Sequence, residues 1–496
     1  MRQAPARPHL PLHRLRRAPL LARPHPRPPR AAVVHRRLVA VDARLPALLR
    51  LLLPPPRPPG APRRRLPRLP PRPRRAALLR LPPLPPPHRR LLRPPPPPRL
   101  RPPASLALVL WSPALLAVDH VHFQYNGFLM GLLLLSLHFL EQGRDLAGGV
   151  VFAALLCSKH LFLVAAPVYF VYIFRHYCCG RGVVRGLGRL VLMGAGVAAV
   201  FAAAFVPFLY YGQMQQLFNR LFPFGRGLCH AYWAPNFWVF YILLDKILAF
   251  LLRRLGFNIQ IPEASFTGGL VGNSSPFAVL PKVTPITTFL LVILAMSPCL
   301  MKAFSKPQPR HIIRWVSYAT TCGFMFGWHV HEKASLHFTI PLALIAMDSL
   351  EDAKHYFVLS IVSCYSLFPL LFENQEYPIK VMLLLTYATL MWVGFSSHFA
   401  AKSPQEGKKV NESSSVVRKN SFIGWISFSY LLGIVAIELW SQVFHHYVFG
   451  SRFPFLPLIM VSLYCGVGMM YSWMWQLAWI RLQPELQSPV AIEPDT

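Results

Sequence analysis

Several features are missing from this chain of 496 residues, and their absence narrows what the protein can be. It has 18 acidic residues against 52 lysines and arginines, which gives a formal charge of +34. Its eight cysteines form no C-x-x-C pair, so the usual signature of a redox or zinc motif is missing. No Walker motif, G-x-G-x-x-G or nucleophile elbow is present, which leaves common nucleotide-binding and hydrolase patterns without support.

The first 103 residues lack most of what a folded domain uses. They contain no Lys, Phe, Tyr, Trp, Ile, Glu, Asn, Ser, Thr or Cys, and only one acid, Asp42. They hold about three-fifths of the 52 prolines and half of the Lys+Arg total, all of it Arg. Because proline at this density prevents helices and strands, we treat residues 1–103 as a separate segment.

This Arg/Pro-rich segment has two interpretations. One is a disordered basic arm that binds RNA or anionic lipid, although such arms usually contain Lys, Ser and Gly. The other is translation in the wrong reading frame, because every residue from position 2 to Pro103 has a codon beginning with C or G. With suitable third bases, residues 12–26 and 33–50 decode one base later into segments rich in aromatic and acidic residues. We predict a frame-shifted segment; a resequenced transcript with this frame intact would refute it.

Long apolar runs dominate the chain from residue 104 to residue 482, and a short polar tail follows at 483–496. The chain is 54% hydrophobic with a mean hydropathy of +0.38, and many runs approach the roughly 20 residues of a membrane helix. They are continuous rather than alternating, which excludes a β-barrel. We predict an all-α, polytopic helical membrane protein with ten to twelve spans, around 104–118, 128–140, 149–174, 189–211, 235–252, 286–301, 312–328, 336–347, 356–372, 379–400, 422–443 and 455–480.

The charge outside the first segment is only mildly basic. Such an excess is typical of cytosolic loops that follow the positive-inside rule. Membrane lipid is therefore the expected surrounding, and no nucleic-acid partner is predicted.

A polar cluster interrupts the apolar runs at VDHVHFQYNGF, Val118 to Phe128. It contains Asp119, His122 and Gln124. Ionisable groups beside lipid-length apolar runs are costly unless they meet a partner, water or a substrate. The cluster therefore predicts a site at the ends of membrane helices.

A second ionisable cluster lies in FGWHVHEKASLHFTIPL, where one apolar run ends and the next begins. Glu332 and Lys333 could simply neutralise each other, or the cluster could contact a sugar phosphate in a membrane cavity. His329 and His331 are two residues apart and would occupy different faces of a helix, so no metal site is predicted.

A third segment, RLFPFGRGLCHAYWAPNFW, combines two arginines with helix-breaking residues and an aromatic cluster. The planar guanidinium groups of Arg220 and Arg226 suit phosphate recognition. The alternative is that both arginines contact lipid headgroups at the membrane interface.

Four of these sequences together resemble the dolichyl-phosphate-glucose-dependent glucosyltransferases of asparagine-linked glycan assembly. They are VDHVHFQYNGF, RLFPFGRGL with its downstream NFW, LPKVTP and HVHEKA, spread over most of residues 104–480. The sequence HAYWAPNFW, His230 to Trp238, looks like the branch of the family that adds the second glucose.

The resemblance implies a multi-helix membrane glycosyltransferase of the GT-C type in the endoplasmic reticulum membrane. The implied donor is dolichyl phosphate glucose, and the implied acceptor is the monoglucosylated oligosaccharide on dolichyl diphosphate. Formation of an α-1,3 bond from a β-linked donor implies inversion by a single displacement, with no required metal or other cofactor.

The resemblance also exposes a missing residue. The family's proton acceptor is an aspartate of a Thr-Asp-Phe-Glu/Asp motif in the first luminal loop, and this chain has no such motif. The alternative frame recovers one from codons spanning Arg14 and Leu15, which places the activity of the chain as written in question. Asp119 is a poor substitute, because the family has both motifs.

No catalytic residue is therefore assigned, and nine residues are predicted to contact substrate. They are Asp119, His122, Gln124, Arg220, Arg226, His329, His331, Glu332 and Lys333. A lipid or solute carrier is the main competing hypothesis, since intramembrane ionisable residues and broken helices also mark transport sites. A nucleic-acid-binding membrane protein that uses the arginine segment is the third.

Overall fold

The computed structural model describes residues 103–121, 123–179, 182–222, 227–229, 234–260, 262, 277–371, 373, 375–402, 422–450 and 452–482. All of them belong to one compact unit that runs from Arg90 to Thr496. The predictions for residues 1–102, for His122 and Arg226, and for the tail at 483–496 lie outside the described residues.

The described chain is built from helices, as the continuous apolar runs predict. Their bounds are α1 Pro103–Leu110, α2 Pro113–Leu115, α3 Asn126–Glu141, α4 Asp145–Ser158, α5 Ala166–Ile173, α6 Val183–Tyr210, α7 Met214–Leu221, α8 Phe237–Arg254, α9 Pro285–Ser305, α10 Ile312–Phe326, α11 Leu336–Ala343, α12 Leu350–Tyr365, α13 Tyr377–Lys402, α14 Trp425–Leu439, α15 His445–Phe449 and α16 Leu456–Leu482. Short 3-10 or π-helical turns join several of them.

Seven helical segments within the described residues are long and apolar enough to cross a membrane. They are Pro103–Val121, His160–Cys178, Val183–Tyr210, Pro285–Ser305, Tyr377–Ala400, Trp425–Phe449 and Leu456–Leu482. Asn126–Glu141 and Asp145–Ser158 are apolar but shorter. The all-α, polytopic membrane fold is confirmed.

The number of long spans is lower than the ten to twelve predicted, because several apolar runs form shorter helices. α10 has 15 residues, and α11 has only eight, with Pro341 inside it. The predicted run 149–174 is also divided, because α4 ends at Ser158 and Lys159 follows in an extended conformation.

Apolar side chains are buried inside the protein in the central helices but are largely exposed on the outer helices. α10, α11 and α12 are buried on nearly all faces. In contrast, only 6% of the most apolar window of α6 is buried inside the protein, and the same holds for the segment that contains α14. An apolar helix with so little internal contact is stable where lipid surrounds it.

Two contacts fix the direction of the central helices. Near their starts, Arg314 of α10 donates two hydrogen bonds to the carboxylate of Asp352 of α12, at 2.6 and 2.5 Å. Towards the far end, the hydroxyls of Ser335 and Ser363 lie 2.8 Å apart. α10 and α12 therefore run in the same direction, and the segments that follow them lie at one end of the bundle.

A buried aspartate holds the segment that leads into α9. The Asp245 carboxylate on α8 is 2% exposed and accepts hydrogen bonds from the backbone amides of Ala278, Val279 and Leu280 at 2.8 to 3.0 Å. Nearby, the Tyr241 hydroxyl donates to the carbonyl of Pro281 at 2.9 Å. These bonds position LPKVTP, whose last two residues begin α9 as its N-cap and first helical residue.

We expect the substitution Asp245→Ala to lower the free energy of unfolding by roughly 2 to 4 kcal/mol, because three backbone donors lose an ionised acceptor. Thermal unfolding of the detergent-purified protein measures the change. Glu351→Ala, which removes an exposed carboxylate of α12, is the matched control. Equal midpoints for the two variants would contradict this role of Asp245.

Candidate active site

The first polar cluster folds into a closed network around Asp119. This residue lies in the π-helical turn Leu116–Val121, just before α3. One of its carboxylate oxygens accepts from the backbone amide of Asn126 at 2.9 Å and from its side-chain amide at 3.2 Å. The other oxygen accepts from the backbone amide of Gly127. Asp119 thus stabilises the exposed amides at the start of α3.

Asn126, which Asp119 holds in place, in turn binds a lysine. Its side-chain oxygen accepts a hydrogen bond from Lys159 Nζ at 2.7 Å, and its side-chain nitrogen also donates to Gln124 at 2.9 Å. A Cβ atom at position 127 would lie 2.8 Å from an Asp119 oxygen, so glycine allows the close approach. Asp119 therefore positions Asn126 and Gly127, and Asn126 positions Lys159.

Lys159 lies between α4 and the 3-10 turn His160–Ala165, outside the long spans. Burial lowers the pKa of its amine, the nearby Lys333 lowers it further, and Asp119 opposes both effects. Two lysine amines close enough to interact in this way form a site that favours an anion.

The second and third clusters meet through backbone contacts. His329 donates its backbone amide to the carbonyl of Leu228 at 3.1 Å, and its Nδ1 lies 2.8 Å from the carbonyl oxygen of Gly227. Cys229 and Val330 form an isolated parallel bridge. A positive φ of 51° at His329 shows that this residue adopts the left-handed region, which a non-glycine residue rarely does.

The NFW sequence fixes the same junction from the other side. Asn236 accepts from the backbone amide of Trp238 at 3.1 Å and so caps α8. Its side-chain nitrogen donates to the carbonyl of Phe324, while the Trp238 indole donates to the carbonyl of Gly327 at 3.0 Å. α8 is therefore anchored to the end of α10, directly before HVHEKA.

A cavity of about 540 Å³ lies where these segments converge. Its hydrogen-bonding and basic lining residues are Gln124, Lys159, Thr288, Thr320, Trp328, His329, His331, Lys333 and His337. Much of the remaining wall is apolar and includes Leu161, Leu163, Val164, Phe289, Val292 and Met296. No aspartate or glutamate lines it within the part of the chain that the structure describes.

This combination suits a ligand with an anionic group and an apolar body. Two lysines and three histidines supply hydrogen-bond donors of the kind that bind phosphate oxygens. The apolar wall can bury hydrocarbon, as most ligand pockets do. The described lining supplies no carboxylate that could act as a general base.

Glu332 belongs to HVHEKA but does not line the cavity. It is 1% exposed, and neither carboxylate oxygen has a hydrogen-bond partner among the described residues. Burial raises the pKa of this carboxyl group, and the positive charge of Lys333 partly offsets that effect. Burial therefore affects Glu332 more strongly than the charge of Lys333 does, so mutual neutralisation of the two residues does not describe the cluster fully.

The structure places the predicted site residues unequally. Gln124, His329, His331 and Lys333 line the cavity. Asp119 does not line it but binds Asn126, which accepts a hydrogen bond from Lys159. Arg220 is exposed near the end of α7 and does not line it. His122 and Arg226 are outside the described residues, although their neighbours Gln124 and Gly227 lie at the cavity and at its His329 junction.

Lys159 is absent from the predicted set of nine although it lines the cavity. A lysine inside a long apolar run can also extend to the membrane surface, so the sequence alone left its direction open. The signal available was the Ser158-Lys159-His160 break in that run.

Comparison with known proteins identifies the family of the chain. A profile described as the ALG6, ALG8 glycosyltransferase family matches residues 98–476. Curated proteins named dolichyl pyrophosphate Glc1Man9GlcNAc2 alpha-1,3-glucosyltransferase are similar to the chain. The Arabidopsis thaliana protein is 65% identical over 371 residues, which cover 75% of this chain and 72% of that protein. The Bos taurus protein is 41% identical over 381 residues, covering 74% and 69%. The chain belongs to the ALG6, ALG8 glycosyltransferase family.

Proposed function

We propose that this protein transfers glucose from dolichyl phosphate glucose to the monoglucosylated oligosaccharide on dolichyl diphosphate, forming an α-1,3 bond. The main observation behind the proposal is the cavity that joins a lysine pair to an apolar wall. The acceptor and the linkage follow from the names of the relatives, which act on a Glc1Man9GlcNAc2 glycan. The donor is proposed from the resemblance of the four motifs, and the basic and apolar lining of the cavity suits such a lipid phosphate.

The donor is proposed to bind with its phosphate at Lys159 and Lys333 and its prenyl chain along the apolar wall. The glycosidic bond to phosphate breaks as the acceptor hydroxyl attacks the anomeric carbon, so the phosphate leaves with increased negative charge. Fixed cationic donors stabilise that charge more strongly in the transition state than in the ground state. Lys159 is held for this purpose by Asn126.

The acceptor hydroxyl must lose a proton in the same step. The described cavity lining contains no carboxylate, and both oxygens of Asp119 are occupied by Asn126 and Gly127. We propose that the missing acceptor is the aspartate that the alternative reading frame restores to the first segment.

The membrane of the endoplasmic reticulum is the proposed location, because its lumen is where dolichol-linked glycans receive glucose. Seven helical segments long and apolar enough to span a bilayer suit a multi-pass protein. Both proposed substrates carry dolichyl chains, so a multi-pass enzyme can take them directly from that membrane.

Glucose transfer in microsomes tests the proposal. Microsomes from cells that lack their own second-glucose activity receive the protein with its first segment in the alternative frame. Labelled dolichyl phosphate glucose and the monoglucosylated lipid-linked oligosaccharide are then supplied. We expect one glucose to be added, in α-1,3 linkage. Lipid movement without glucose transfer would favour the carrier hypothesis instead.

A further inference from the structure

A second cavity, of about 630 Å³, lies between the segment after α12, the start of α13, the end of α14 and the start of α16. Its polar lining residues are Glu373, Tyr377, Lys380, Glu438, Ser441 and Gln442. None of them lines the cavity assigned to the donor.

The two cavities lie at the same end of the bundle. Ser335 is two residues beyond Lys333 of the donor cavity, and its hydroxyl lies 2.8 Å from that of Ser363. Ser363 is followed within five residues by Phe368, which lines the second cavity. A ligand long enough to extend along this end of the bundle would meet both cavities.

Glu438 leaves hydrogen-bonding capacity unused in this cavity. The Tyr365 hydroxyl donates to its Oε2 at 2.9 Å and fixes the carboxylate. The Tyr377 hydroxyl also lies close enough to interact with this carboxylate. Oε1 of Glu438 nevertheless has no hydrogen bond of normal geometry among the described residues, and neither does the hydroxyl oxygen of Ser441. Buried polar atoms without partners are costly, and a carboxylate within a membrane helix is a functional-site candidate.

The charge of the cavity argues against an anionic ligand. The amine of Lys380 donates to the carbonyls of Leu371 at 2.9 Å and Phe368 at 3.2 Å, so it holds the chain that follows α12. Glu373 and Glu438 contribute two negative charges against this one positive charge. A phosphate or diphosphate would be repelled there, whereas a neutral ligand would not.

We propose that the second cavity binds a neutral, hydroxyl-rich saccharide, which under the proposed function is a part of the acceptor glycan away from the reacting hydroxyl. Sugar hydroxyls can donate to Glu438 Oε1 and both donate to and accept from Ser441 and Gln442. The Tyr377 and Phe455 rings, which also line the cavity, offer apolar surfaces to the sugar ring. The assignment rests on the proposed function for the identity of the glycan.

Binding measurements on the full chain in detergent test this site without requiring catalysis. The probe is a released, lipid-free, monoglucosylated mannose oligosaccharide, and dolichyl phosphate is titrated separately. We expect Glu438→Gln to weaken glycan binding about tenfold, since an ionised acceptor makes the stronger hydrogen bond. Ser441→Ala should weaken it to a smaller degree. Both variants should bind dolichyl phosphate as the unmodified chain does.

Glu351→Gln is the matched control, because Glu351 is exposed and pairs with Lys354 near the opposite end of α12. Unchanged glycan affinity in both cavity variants, with dolichyl phosphate binding intact, would overturn the saccharide site. Displacement of the glycan by inorganic phosphate would also overturn it. If the unmodified chain does not bind dolichyl phosphate at all, that result would instead count against the proposed function.

Discussion

Microsomes that carry the protein with its first 103 residues in the alternative frame are expected to add the second glucose, whereas the chain as written is not. Removing the proton acceptor of such a transfer costs roughly 10²- to 10⁴-fold in rate. The described residues offer no carboxylate as a replacement, because no aspartate or glutamate lines the donor cavity and Asp119 is hydrogen-bonded to Asn126 and Gly127.

The control is a third protein that carries the alternative frame with the aspartate of the recovered motif changed to asparagine. It should behave like the chain as written, although it folds with the corrected segment. Labelled product from the chain as written, at the rate of the corrected protein, would show that the proton acceptor lies elsewhere.

Lys159→Met is expected to weaken dolichyl phosphate binding by roughly 10- to 100-fold, the usual value of a charge-assisted hydrogen bond. The lysine lines the cavity and is held by Asn126 at 2.7 Å. In the corrected protein the same substitution should raise the KM for dolichyl phosphate glucose and lower kcat, because the departing phosphate carries more charge than the bound one.

Lys354→Met provides the matched control, since Lys354 is a partly exposed lysine of α12 that pairs with Glu351. It should leave binding and turnover unchanged. If Lys159→Met binds dolichyl phosphate normally, the phosphate must lie outside this lysine pair.

The pH dependence of dolichyl phosphate binding offers a separate check on Lys159. Its pKa is lowered by burial and by Lys333, so its charge is present at lower pH and is lost as pH rises through that lowered pKa. We expect affinity to fall with rising pH well before an exposed lysine would titrate. Lys159→Arg, which stays charged, should flatten the profile; an identical profile would contradict the assignment.

Much of the fold could be predicted from the sequence because lipid leaves few choices. Continuous apolar runs must form helices to satisfy their backbone groups in a bilayer, and the described residues are helical where those runs lie. The number of long spans was overestimated because hydropathy does not reveal which runs are cut. α10 and α11 are short yet buried, so neighbouring helices take the place of lipid around them.

The candidate site was only partly predictable for a different reason. Motif residues such as His329 and Lys333 stand out as costly polar groups in an apolar chain, and they do line the cavity. Lys159 and Glu332 could not be placed from the sequence, because the direction in which each side chain points depends on contacts with distant segments. Lys159 is turned towards the cavity by Asn126, 33 residues away, while Glu332 is buried away from it.

The sequence by itself determined that this chain is a helical membrane protein of a glucosyltransferase type, since composition and local motifs carry that information. Only the tertiary structure decided which polar groups share one chamber. Three long-range pairings position the segments around it: Asn126 with Lys159, 33 residues apart, Gly227 with His329, 102 residues apart, and Asp245 with the amide of Ala278, 33 residues apart. Such pairings depend on helix packing and long-range hydrogen bonds, which no local pattern encodes.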